Sequence, residues 1–232
     1  LFRAYITQAL VWHYSQATHE AKNILEKAQH LLPSDAQGDA QYLFVSGLIT
    51  EGMRTHWARS LLRQSTDLKP TFELSQLHLA YIYEMIWRTR PTLEKEVAEN
   101  IFKEYEKVLK LNPGNLGVWA NRGYMRWLLG SPQDIEKAIE DFQSGRDYKL
   151  IKRDSFVAEL DYGLARIEAE RGNFQEAYSH YTESTSALLA QGYLYSSPYN
   201  NFSYHFELID EKIYKRFKDY KEKVEQALAN KS

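Results

Sequence analysis

The segment AKNILEKAQHLLP, residues 21–33, and the segment ARSLLRQSTDLKP, residues 58–70, share one frame: a small residue, a large apolar residue four positions on, a small residue three further, and proline five further. Ala21, Leu25, Ala28 and Pro33 fill it in the first, and Ala58, Leu62, Ser65 and Pro70 in the second. IFKEYEKVLKLNP supplies Ile101, Tyr105, Val108 and Pro113, while AIEDFQSGRDYKL supplies Ala138, Phe142 and Gly145 with Leu150 in place of proline. A further copy, AYSHYTES, gives Ala177, Tyr181 and Ser184. Spacings of three and four put these residues on one helical face, and proline marks where the helix stops. A frame that fixes both the buried face and the stop constrains the chain more than amphipathic composition does.

Upstream of each such helix the sequence predicts another, with bulky and small residues along one face: Tyr5, Ala9 and Trp12; Tyr42, Ser46 and Ile49; Leu79, Ala80 and Tyr83; Trp119, Gly123 and Arg126; Leu164, Ala165 and Glu168. Each unit is then a helical hairpin. NLGVWANRGYMRWLLG followed by DIEKAIEDF, and LDYGLARIEAERGNFQEAYSHY with its Gly-Asn-Phe turn at 172–174, carry the pattern most fully. The chain resembles the tetratricopeptide repeat (TPR) family, whose unit of about 34 residues pairs two antiparallel helices.

The resemblance implies an all-α fold, a right-handed α-solenoid of about five TPR-like hairpins spanning roughly 2–35, 39–72, 73–115, 116–152 and 156–189. The third unit is lengthened around RTRPTLEKE and the fourth around GSPQ, and the first three lack the family's small turn residue between helices. Beyond residue 190, QGYLYSSPYNNFSYHF is dense in Tyr, Asn and Ser and predicts an aromatic loop over 191–204. Ile209, Ile213, Phe217, Tyr220, Val224 and Leu228 then recur by threes and fours, which predicts an amphipathic capping helix over 205–232. A terminal helix with a polar outer side covers the apolar face that the last hairpin of a solenoid exposes.

The 232 residues carry a formal net charge of −2, so no bulk electrostatic attraction to nucleic acid is expected. No apolar run approaches the ~20 residues needed to cross a bilayer, so no membrane insertion is expected. The absence of cysteine removes disulfides and thiolate chemistry but suits either a reducing or an oxidising compartment. The compartment is left open, the cytoplasm being weakly favoured. The chain opens on Leu1 rather than methionine and reads as a piece of a longer polypeptide.

Nothing in the sequence predicts catalysis. The seven histidines are scattered, with none in a metal-binding spacing such as HExxH. There is no glycine-rich phosphate loop and no GxSxG elbow. Glu168 and Glu170 lie two apart and point to different sides of a helix. No enzyme activity, metal or cofactor is expected.

In the resembled family, the first helix of each hairpin lines a concave groove that takes an extended peptide or a partner helix. Helical phase and that resemblance together make His78, Tyr81, Asn121, Tyr124, Trp127, Tyr162 and Arg166 the groove candidates. Asn121 stands where the family often carries an asparagine that bonds a ligand's peptide backbone. Tyr81, Tyr124 and Trp127 are read as stacking surfaces, with a place in the core as the alternative. Arg166 is read as a partner for a ligand carboxylate, with Asp161, Glu159 or Glu170 as alternative partners on its own helix. The basic clamp of chaperone-tail receptors is missing, since Ile6, Leu10, Leu43, Phe44, Leu77 and His78 fill the comparable stretch. The expected function is a protein-interaction scaffold that holds a peptide or helical segment of a partner. The alternatives are a regulatory domain of a larger polypeptide, such as a transcription regulator, signalling enzyme or protease, or a module that assembles with copies of itself.

Overall fold

The computed structural model describes residues 1–31, 39–50, 56–90, 92–148 and 155–190, together with Glu222. The predicted aromatic loop at 191–204 and capping helix at 205–232 lie outside the described residues. Among the described residues the secondary structure is entirely helical: α1 (Phe2–Tyr14), α2 (Thr18–Gln29), α3 (Ala40–Ile49), α4 (His56–Leu68), α5 (Glu73–Arg88), α6 (Lys95–Leu111), α7 (Leu116–Leu129), α8 (Pro132–Asp147), α9 (Ser155–Glu170) and α10 (Phe174–Ala190). Sequential neighbours pack as hairpins, α1 with α2, α3 with α4, α5 with α6, α7 with α8 and α9 with α10. The chain divides into two units, residues 1–113 and 114–232.

Local signals set several helix ends. The Asp39 side chain accepts from Tyr42 N at 2.8 Å, and Asn115 accepts from Val118 N at 3.2 Å. Ser131 accepts from Asp134 N ahead of Pro132, which sits in the first turn of α8. Each satisfies a backbone donor that the first helical turn leaves without a partner. Gly130 closes α7 at φ 73°, a left-handed conformation in which a side chain would be strained.

The repeated frame is the buried seam. Ala21, Ala28, Ala58, Leu62, Ser65, Tyr105, Val108, Ala138, Phe142 and Ala177 are all fully buried. The frame's third position also repeats a bond. Ser65 Oγ of α4 donates to the Ala40 carbonyl of α3 at 2.6 Å, and Ser184 Oγ of α10 donates to the Ala158 carbonyl of α9 at 2.8 Å. In each case a small hydroxyl lets the second helix approach the backbone of the first, and its own hydrogen bond offsets the loss of water.

In the first unit, Ile6, Ala9, Phe44, Val45, Leu48, Leu62, Leu79 and Ile82 belong to one core. Leu43–Ile49 of α3 are buried on every side, as a helix apolar all round must be. In the second unit, Leu116, Ala120, Tyr124, Phe142, Leu160 and Leu164 form the core that joins α7, α8 and α9. Phe142 sits at its centre with its edge toward the Tyr124 ring, centroids 5.0 Å apart. A Cβ on Gly123 would lie 2.6 Å from Phe142 Cε1, and one on Gly163 would lie 2.5 Å from Phe142 Cζ. The two glycines therefore give α7 and α9 close approach to one ring.

Candidate functional site

The sequence-predicted residues fall into both units. His78 and Tyr81 lie on α5 of the first. The His78 ring stands edge-on to Phe44, centroids 5.4 Å apart, and to Tyr81 at 6.0 Å. Tyr81 in turn meets Tyr105 of α6. Both are half-buried. Burial, reinforced by the nearby His13, pushes the His78 imidazole down to about 4. Burial and the neighbouring Glu84 push the Tyr81 hydroxyl well above the usual tyrosine range. Both are thus neutral at physiological pH.

The other five converge in the second unit, Asn121, Tyr124 and Trp127 from α7 and Tyr162 and Arg166 from α9. Asn121, Tyr124 and Trp127 are 6, 3 and 8% exposed. Tyr124 Oη donates to the Glu159 carbonyl of α9 at 2.7 Å, and its ring packs on Phe142. Trp127 Nε1 donates to Glu170 at 2.9 Å, and the Arg166 guanidinium lies over the indole, 4.4 Å from its centroid. Arg166 Nε also faces Glu170 at 3.5 Å. Tyr124 and Trp127 thus stand in the core between α7 and α9, the alternative open to them in the sequence. Tyr162 and Arg166 remain partly exposed. The arrangement is a pair of buried aromatic rings with the partly exposed Tyr162 and Arg166 on the neighbouring helix.

Glu159 joins this cluster and was not among the sequence candidates except as a partner for Arg166. It is only partly exposed, and its carboxylate touches the Tyr124 hydroxyl at 3.5 Å. Burial pushes its carboxyl up to about 7, against the small opposing effect of the Tyr124 hydroxyl. Nothing in the sequence marks it, because its surroundings come from α7.

A second polar group lies between α8, α9 and α10. Asp161, His180 and Glu183 bring three metal-competent atoms within 4.8 Å of one another. His180 and Glu183 share a face of α10, but Asp161 comes from α9, so a search for spacing along one helix misses the set. Arg146 Nε lies 2.8 Å from Asp161, and its Nη2 lies 2.6 Å from Glu183. The guanidinium already bridges both carboxylates, which makes the group a salt-bridge network with its cation supplied by the chain. Among the described residues no helix is long and apolar enough to cross a membrane.

Hairpins with a repeated small-residue seam, packed in series within each unit, define a TPR-like helical-repeat protein. The chain is similar over 95% of its length, and 98% of the other's, to TTC0263, a thermophilic TPR protein in Thermus thermophilus, at 16% identity and a TM-score of 0.59. It is also similar to MamA, at 15% identity and a TM-score of 0.59 over 79% of this chain and 96% of that one. A MamA chain from AMB-1 aligns at 17% identity and a TM-score of 0.55, over 80% of this chain and 90% of its own. No protein-family model matches the chain, and no curated protein does.

Proposed function

We propose that the chain is a non-enzymatic scaffold that captures a peptide or helical segment of a partner protein, and that in the second unit the capture surface is the α7–α9 face. The observation that carries this reading is the placement of Glu159 beside the Tyr124 hydroxyl and of Arg166 over the Trp127 indole, with the partly exposed Tyr162 between them on α9, its ring 6.4 Å from that of Tyr181. Aromatic surface with polar groups around it is what a protein segment buries well. Similarity in fold to a TPR protein supports the class of function without naming the partner.

In this reading Tyr124 and Trp127 hold the face in shape, and Tyr162 and Arg166 make the contacts. In the first unit, His78 and Tyr81 occupy the corresponding place on α5 and offer neutral, half-buried rings to the same kind of ligand. The test is selection of 12-residue peptides from a display library on the immobilised chain. Selected peptides bind the wild type and lose at least tenfold in affinity to Tyr162→Ala and Arg166→Ala. Equal binding to wild type and both variants places the surface elsewhere.

Self-assembly is a second reading, favoured by Val11 and Tyr14, which stand 58 and 53% exposed on α1. A concentration-dependent mass in solution that disappears in Val11→Lys supports it.

A further inference from the structure

Among the described residues, three of the four buried carboxylates pair with an arginine, and the fourth caps a helix. Glu84, 4% exposed, pairs with Arg88, whose Nε lies 2.6 Å away, and accepts from the Tyr105 hydroxyl. Asp141, 2% exposed, is held by Arg122 and Arg126, with Arg126 Nη1 at 2.8 Å. Asp161, 1% exposed, has Arg146. Asp134 sits in the first turn of α8 beside Ser131, where the helix dipole favours a negative charge.

Glu159 breaks this pattern. Its carboxylate pairs with no cation among the described residues. Among the described residues the one donor near it, the Tyr124 hydroxyl, is committed to the Glu159 backbone carbonyl at 2.7 Å and leaves the carboxylate at 3.5 Å, the limit of a hydrogen bond. A desolvated carboxyl without a counter-charge costs free energy. Such an exception beside a set of aromatic rings is where a ligand group belongs. Glu159 also keeps partial exposure. Tyr162 stands about one turn along α9, and a tyrosine face attracts an ammonium or guanidinium group.

We infer that Glu159 is the acceptor for a basic side chain, lysine or arginine, presented by the captured segment, with Tyr124 and Tyr162 flanking it. This rests on the α7–α9 face being the capture surface, and it adds the chemistry of the occupant. The incoming cation supplies the counter-charge that the fold withholds, so binding favours the ionised carboxylate. An acidic or purely apolar segment leaves Glu159 uncompensated and is discriminated against.

The test is a titration of the full chain with n-butylguanidinium, a stand-in for an arginine side chain, followed through the amide resonances of Glu159 and Tyr124. The neutral isostere n-butylurea and the variant Glu159→Gln are the comparisons. Expected is saturable binding with shifts centred on those two residues, at least tenfold weaker for n-butylurea on the wild type and at least tenfold weaker for Glu159→Gln. Equal affinity for the cation and its neutral isostere, or no saturable shift at residues 159 and 124, overturns the inference whatever the variant does. The cation bound at Glu159 on a chain that selects no peptides overturns the capture reading alone. Peptides selected without any basic residue, on a chain that ignores the cation, overturn this inference alone.

Discussion

Gly163→Ala is expected to destabilise the second unit, although the same change in an exposed helix interior stabilises. Replacing glycine by alanine inside a helix is ordinarily worth up to about 1 kcal/mol in favour of the helix. Here the added Cβ would lie 2.5 Å from Phe142 Cζ and 2.7 Å from Cε1, against a comfortable separation of about 3.5–4.0 Å between carbons. The ring cannot retreat. It is fully buried, and it already stands close to Gly123, where a Cβ would lie 2.6 Å from Cε1. Relief must come from moving α9 away from α8, and forcing a methyl into a filled core costs about 1–3 kcal/mol. Set against the propensity gain, the net loss is up to about 2 kcal/mol. The assay is urea unfolding monitored by circular dichroism, with Phe142→Leu and the Phe142→Leu/Gly163→Ala pair alongside. Phe142→Leu vacates the space that the new methyl needs, so the double variant should lose less than the sum of its singles. A Gly163→Ala protein more stable than wild type by about 1 kcal/mol, or strict additivity with Phe142→Leu, would refute the reasoning.

Three further outcomes follow from charge. The His78 imidazole is held at about 4 against an ordinary 6.5, so the folded state binds its proton less readily than the unfolded chain. Stability is complete above pH 6.5 and falls as pH drops toward 4, by up to about 3 kcal/mol at 1.36 kcal/mol per unit; the pH 7 to pH 4 loss should shrink in His78→Gln, and an unchanged loss contradicts it. Glu159 has the opposite sense, its carboxyl raised to about 7 from 4.5. Its contribution is present below pH 4.5 and lost as pH rises to 7, so Glu159→Gln should exceed wild type at pH 8 by up to about 3 kcal/mol, and equal melting temperatures at pH 8 contradict it. Asp141→Asn strands Arg122 and Arg126 beside a neutral amide in the α7–α8 hairpin, for an expected loss of about 3–5 kcal/mol in urea unfolding. A loss under about 1 kcal/mol would mean that the pair is effectively solvated.

The hairpin architecture was legible in the sequence because four of the five second helices carry a small-large-small frame, and small residues have few uses at fixed helical spacing other than close approach. Ala58, Leu62 and Ser65 show it, each fully buried against α3. The candidate site was legible only in part. Helical phase grouped Asn121, Tyr124 and Trp127 on one face of α7, but phase says nothing of what stands opposite. The Glu159 carbonyl and the α8 ring of Phe142 make that face an interior one for Tyr124. For that reason Tyr124→Ala, at a position read from sequence as a stacking surface, opens a cavity in the unit's core. Truncating a large aromatic to Ala at such sites costs about 3–5 kcal/mol. Arg166 met one of its sequence alternatives, Glu170, one turn along its own helix. The lone carboxyl of Glu159 was invisible, since a missing partner leaves no mark in a linear sequence.

Capture of a partner segment on the α7–α9 face is tested most directly by site-specific photocrosslinking. A benzophenone side chain is placed at Tyr162, with Lys107 on the exposed side of α6 as the control position, and adducts formed in the native cell extract are read by mass spectrometry. The account predicts one defined partner peptide, containing a lysine or arginine, joined at position 162 and absent at 107. The same adducts at both positions, or none at 162, would contradict it.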